Sequence, residues 1–200
     1  MKILNLILLI IICSGTSAQA QKADSSLIKL IDSLYTADQA TALIRPGDSA
    51  AAAYQRVIRS NFFYTKQILD TYGFPGYDFV GKETSGKYFL LVQHSDFDVE
   101  FQKRALNLMK KQVLKTNASG QNYAFLVDRT NLNEGKPQIY GTQIIMSGNT
   151  QLKPCRDIKN LDKRRKSVGL EPVKEYLEKC NDVFYQMNPG EKKPEKKNPN

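Results

Sequence analysis

The chain has 200 residues, 41% of them hydrophobic and 24% charged, and carries a formal net charge of +9. That balance, without any long repeat, excludes a disordered or fibrous polypeptide and fits one globular domain. Much of the positive excess lies in Lys159 to Lys166 and in the tail EKKPEKKNPN, with no aromatic residues interleaved, which points to a solvated surface and away from nucleic acid.

In chain order, the first twenty residues read as a secretory signal. Lys2 gives a positive start, Ile3 to Ile12 an apolar core, and Ala18-Gln19-Ala20 the small residues that a signal peptidase requires. The run is too short to span a bilayer, which takes about 20 apolar residues. The expectation is an exported protein, periplasmic or secreted, with Gln21 at its mature start. A rival reading anchors it as a lipoprotein through Cys13, against which the bulky Ile12 counts. Residues 21–188 then form the globular part, and the Lys- and Pro-rich residues 189–200 a disordered tail.

Helical periodicity dominates from Ser25 to Asn131. Leu27, Ile28, Ile31 and Leu34 are spaced for a helix over Ser25 to Tyr35, with Ser25 or Ser26 as cap. A longer helix is expected from Ser49 to Tyr72, capped by Asp48 and striped by Tyr54, Val57, Ile58, Asn61, Phe62, Thr65, Ile68 and Leu69. Gly73, Pro75 and Gly76 stop it. Lys87 to His94 is an apolar run read as helix because helical patterns flank it. Asp98 caps another, with Phe101, Ala105, Leu108, Met109 and Val113 facing inward, and a short helix is expected from Gln121 to Asn131.

The period then changes. Gln138 to Met146 is rich in β-branched and aromatic residues and meets the turn signal Ser147-Gly148-Asn149, which predicts a β-hairpin returning over Thr150 to Lys153. Two helices, near Lys159 to Ser167 and Pro172 to Tyr185, close the chain. The fold class is therefore mainly α, with one β-hairpin. Outside the signal, Cys155 and Cys180 form an even pair for which export permits a disulfide, two separate thiols being the alternative.

Four ordered blocks carry a resemblance: YGFPGYDFVG, LLVQHSDFDVEFQKRALNLM, NYAFLVDRTNLNEGKPQIYGTQ and KRRKSVGLEPVKEYL. Together, over about Asn61 to Leu177, they resemble an uncharacterised bacterial family classed only as a domain of unknown function, with GxPG, QHxD, DR and PQxYGTQ motifs. The chain departs from the family's pattern at Phe74, where tryptophan is common, and at Val127, where threonine is. The resemblance brings no activity or cofactor; it implies that the polar residues of these motifs share a site.

Those residues are Gln93, His94, Asp96, Asp128, Arg129, Gln138, Tyr140, Thr142 and Gln143. As a set they suit a pocket for a small polar or anionic ligand, with Arg129 forking onto an acceptor and the amides fixing orientation. The alternative is acid–base catalysis by a metal-independent hydrolase or transferase, with His94 as the base and Asp96 or Asp128 orienting it. Zinc is poorly supplied by one histidine and two distant cysteines, and the phosphate-loop, dinucleotide and nucleophile-elbow motifs are missing, so neither metal nor cofactor is expected. Weak attraction to an anionic envelope surface is the only further partner implied. His94 lies between apolar Leu90, Leu91 and Val92 and polar Ser95, Asp96 and Asp98. That position predicts a boundary imidazole, bonded either to the Asp128-Arg129 helix or to the Gln138 to Gln143 segment.

Overall fold

The computed structural model describes residues 25–42 and 48–192. The expected signal, Cys13 and most of the expected tail lie outside the described residues. Seven α-helices follow one another among those residues: α1 (Ser25–Ala42), α2 (Asp48–Tyr72), α3 (Tyr77–Gln93), α4 (Val99–Leu114), α5 (Gly120–Asn133), α6 (Leu161–Ser167) and α7 (Val173–Met187). A two-stranded hairpin, β1 (Ile144–Ile145) and β2 (Gln151–Leu152), stands between α5 and α6. The mainly α expectation with one hairpin therefore holds. No helix among the described residues is long and apolar enough to cross a membrane.

Helices α1 to α5 enclose the core. The stripe Leu27, Ile31 and Leu34 on α1 meets Tyr88, Leu91 and Val92 of α3, while Phe101, Ala105 and Met109 of α4 pack beside Leu126 of α5. Aromatic edges lock the seams: Phe62 meets Phe101 edge to face at 5.1 Å, and Phe74 meets Tyr88 at 5.6 Å. The buried Tyr88 hydroxyl donates to the Thr65 carbonyl at 2.9 Å, so the deepest ring buries no unmet polar group.

Three elements differ from the sequence expectation. Helix α1 runs on to Ala42, seven residues past Tyr35. Helix α3 starts ten residues before Lys87, at Tyr77. Its first part is hidden in the sequence by Gly81, which takes φ 82 and ψ 162 and breaks the periodicity where two helical stretches join. At its start Asn117 replaces a cap: its carbonyl accepts from Tyr77 N–H at 2.8 Å and its Oδ1 from Asp78 N–H at 2.9 Å. Asp98 caps α4 as expected, accepting from Phe101 N–H at 2.9 Å.

The third difference is the hairpin, which is much shorter than Gln138 to Met146. Only Ile144 with Leu152 and Ile145 with Gln151 pair as strands, with one isolated parallel bridge between Gln138 and Cys155. Residues 138–143 look like a strand in composition, but their N–H groups are largely taken by side chains, chiefly the Asp128 carboxylate of α5. Cys155 and Cys180 are both free thiols, so the permitted disulfide is not formed. Burial pushes both thiols above their ordinary range, which keeps them protonated and poorly reactive at neutral pH.

Phe101 is 2% exposed and seals the seam between α4 and α2, where it meets Phe62. Phe101→Ala is expected to cost about 3–5 kcal/mol. Urea unfolding showing a loss under about 1 kcal/mol would mean that this seam does not hold the bundle.

Candidate functional site

The polar residues of the motifs do not form one cluster. Asp128 and Arg129 are adjacent on α5 but serve opposite sides. Asp128 turns to residues 138–142 and Arg129 to the turn after α3.

Asp128 is completely buried. Its Oδ1 accepts from the N–H of Ile139 at 2.7 Å and of Tyr140 at 2.9 Å, and its Oδ2 from the N–H and hydroxyl of Thr142, both at 2.9 Å. Four donors to one carboxylate repay its desolvation and leave little capacity for proton transfer. Gly141 lies within this wrap at φ 62, a backbone state that suits glycine. Gln138, also fully buried, finishes the segment: its Nε2 donates to the carbonyls of Gln143 and Lys153, each at 2.9 Å, and its Oε1 accepts from Gln143 N–H at 2.7 Å. Tyr140 takes part through its N–H and carbonyl, and the Gln143 amide donates to the Thr142 hydroxyl at 3.3 Å. In this half of the predicted site the polar groups hold the chain to itself.

The other half is built around His94. Its Nδ1 lies 2.9 and 3.0 Å from the two carboxylate oxygens of Asp38, a residue of α1. An ionised carboxylate only accepts, so Nδ1 carries the hydrogen, and in the neutral ring Nε2 is the accepting nitrogen. Asp38 is 2% exposed and the His94 side chain 18%, which makes the imidazole the wetter member of the pair. The sequence placed the partner of His94 on the Asp128-Arg129 helix or in the Gln138 to Gln143 segment; the structure places it on α1. The Asp128-Arg129 helix is instead linked to the turn by Asp96. Tyr54 of α2 packs its ring edge against the imidazole, centroids 6.0 Å apart.

Arg129 forks onto Asp96, with Nε at 2.7 and 2.9 Å from the two oxygens and Nη2 at 2.5 Å. Asn133 at 3.3 Å and Gln102 at 3.1 Å add to the same carboxylate. Burial works against the Asp96 charge, but the bonds and field of Arg129, with Gln102 and Asn133, more than offset it and hold the carboxyl below its ordinary range. Tyr54 is pushed up, by burial first and then by the field of Asp38. Gln102, fully buried on α4, clamps the turn by donating to the carbonyls of Val92 at 3.2 Å and Gln93 at 3.0 Å as well as to Asp96. Gln93 therefore contributes its carbonyl. Among the described residues no group of three or more His, Cys, Asp or Glu side chains is arranged to hold a metal ion.

Residues 50–187 match a family of unknown function, DUF6624. The chain belongs to that family. The matched range contains the four sequence blocks and every predicted site residue, while Asp38 precedes it. No curated protein and no solved structure matches the chain.

Sequence reasoning missed Asp38, Tyr54 and Gln102. Asp38 had a usable signal, since 27, 31, 34 and 38 continue one helical stripe and place a carboxylate on an otherwise apolar face.

Two variants separate the halves. Asp128→Ala strands three backbone N–H groups and a hydroxyl, and is expected to cost about 3 kcal/mol or more with new protease sensitivity in residues 138–143. A variant as stable as the wild type in urea would refute this. Arg129→Met should cost about 1 kcal/mol at neutral pH, because the pair is partly exposed and screened. Asp96 titrates lower folded than unfolded, so its contribution exists above about pH 4 and is lost as pH falls through the folded value. The difference between wild type and Arg129→Met must therefore shrink on acidification; a constant gap from neutral to strongly acid pH would contradict the assignment.

Proposed function

We propose that this DUF6624 protein binds a small polar ligand at the face formed by Tyr54, His94, Asp96 and Arg129. The observation that carries the proposal is the 2.9 Å bond from the His94 ring to a buried Asp38 carboxylate. A carboxylate so deeply desolvated is costly, and its effect is to fix the tautomer and orientation of a partly exposed imidazole. Such an imidazole presents Nε2 as a ready acceptor. Arg129 is already neutralised by Asp96, so an anion would have to compete with a bidentate pair. A neutral molecule rich in hydroxyl or amide groups meets the site more easily, donating to Nε2 and bonding the Tyr54 hydroxyl. The signal-like first twenty residues support an exported setting, where saccharides of the cell envelope have this chemistry.

A second reading has its own support in the same bond. A base oriented by a carboxylate through Nδ1 is the geometry of general acid–base catalysis, and it needs no metal. In that reading His94 is the proton carrier of a hydrolase or transferase and Asp38 takes the orienting role assigned from sequence to Asp96 or Asp128.

His94 is the only histidine, so its ring gives one imidazole signal in NMR. Titration with N-acetylglucosamine and a set of other neutral sugars and amides is expected to move that signal at millimolar concentration. Asp38→Asn should abolish the response while keeping the fold. If no member of the set moves the ring signal, the binding proposal fails. If a member binds and is also converted, with the rate lost in both His94→Gln and Asp38→Asn, the catalytic reading replaces simple binding.

A further inference from the structure

On another part of the molecule, a cleft of about 540 Å³ opens between the first turns of α5, the connection leaving α6, and α7. That volume is in the range of small-molecule sites, about 300–1,000 Å³. Phe125, Leu170 and the ring of Tyr176 give it apolar walls. Its polar groups are unequally satisfied. The Gln121 amide donates to the Gly169 carbonyl at 2.5 Å, and the Glu171 carboxylate is taken by Lys179. Lys166, in contrast, has no ion-pair partner among the described residues.

Behind this wall sits Arg165, 1% exposed. Its Nε donates to the Glu171 carbonyl at 2.7 Å, its Nη1 to the carbonyls of Tyr140 at 2.9 Å and Gly141 at 3.0 Å, and its Cζ lies 4.9 Å from the Tyr176 ring centroid. Nη2 is buried without an acceptor. All of its bonded partners are carbonyls; Asp162, Glu171 and Asp128 reach it only through space. A guanidinium held in this way keeps its charge next to the cleft, in a medium of low dielectric constant that screens it poorly. Both groups are cationic: Lys166 exposed in the cleft without an ion-pair partner among the described residues, and Arg165 behind the wall with Nη2 unmet.

We propose that this cleft binds a small molecule with an apolar body and an anionic head, carboxylate or phosphate. The body lies on Phe125, Leu170 and Tyr176, and the head bonds Lys166 within the field of Arg165. This site is separate from the His94 face and does not depend on it.

The test is calorimetric titration of the full chain with phenylacetate, phenyl phosphate and neutral phenylacetamide, with the amides of Gly169 and Phe125 followed by NMR. At least one anion is expected to bind and to shift those amides, with the tighter of the two identifying the head group. Phenylacetamide should bind about tenfold more weakly or not at all, since it cannot make the charge-assisted bond. Lys166→Gln changes an exposed residue and should weaken the anion by about tenfold without altering the unfolding midpoint. His94→Gln should leave it unchanged, so a failure here is distinct from a failure at the imidazole. The proposal is overturned if neither anion binds at millimolar concentration, if binding leaves Gly169 and Phe125 unmoved, if the amide binds as well as the acids, or if Lys166→Gln binds like the wild type.

Discussion

The carboxylate of Asp128 is the constraint on which the C-terminal third of the molecule depends. Residues 138–142 have almost no strand partner, yet their backbone is satisfied from two sides. The N–H groups of Ile139, Tyr140 and Thr142 go to Asp128, and that of Gln138 to the Pro154 carbonyl. The carbonyls of residues 139–142 go to the second layer: Ile139 accepts from Arg164, Tyr140 and Gly141 from Arg165, and Thr142 from the Tyr176 hydroxyl. One acid of α5 therefore positions the surface onto which α6 and α7 are fastened. Buried irregular backbone is normally avoided because its polar groups go unmet; here side-chain chemistry stands in for a β-ladder. The segment sits between an acid and two bases, which gives it a fixed polarity as well as a fixed shape.

The His94 side of the molecule follows a different logic. Four helices each contribute one group: Asp38 from α1, Tyr54 from α2, Arg129 from α5, and Gln102 from α4, which grips the turn. The turn itself carries His94 and Asp96 two residues apart, so one clamp fixes both. Burial of Asp38 and partial exposure of His94 give the pair a direction, inner acid and outer imidazole, that a surface ion pair would lack.

How much of this was legible depended on what each residue shows locally. Helices α2, α4 and α5 carry uninterrupted apolar stripes and clear stop or cap residues, and their courses could be read directly. The first part of α3 could not, because Gly81 breaks the repeat that periodicity relies on. Residues 138–143 have the composition of a strand, since β-branched and aromatic side chains report half-burial more than they report a partner. The motif residues were read as one polar site, yet Asp128 and Arg129 face opposite ways and divide the set in two, and no local pattern distinguishes a carboxylate that holds a loop from one that holds a proton. Asp38 lies 56 residues from His94 in sequence, beyond the reach of any motif.

Helix α1 has a further consequence. The family match begins at residue 50, so the histidine lies inside the shared region and its acid outside it. A relative could keep all four motif blocks and still differ in what stands behind its imidazole, provided its preceding helix keeps the apolar stripe that packs on α3. Without an acid at position 38 the ring would lose the bond that fixes its orientation.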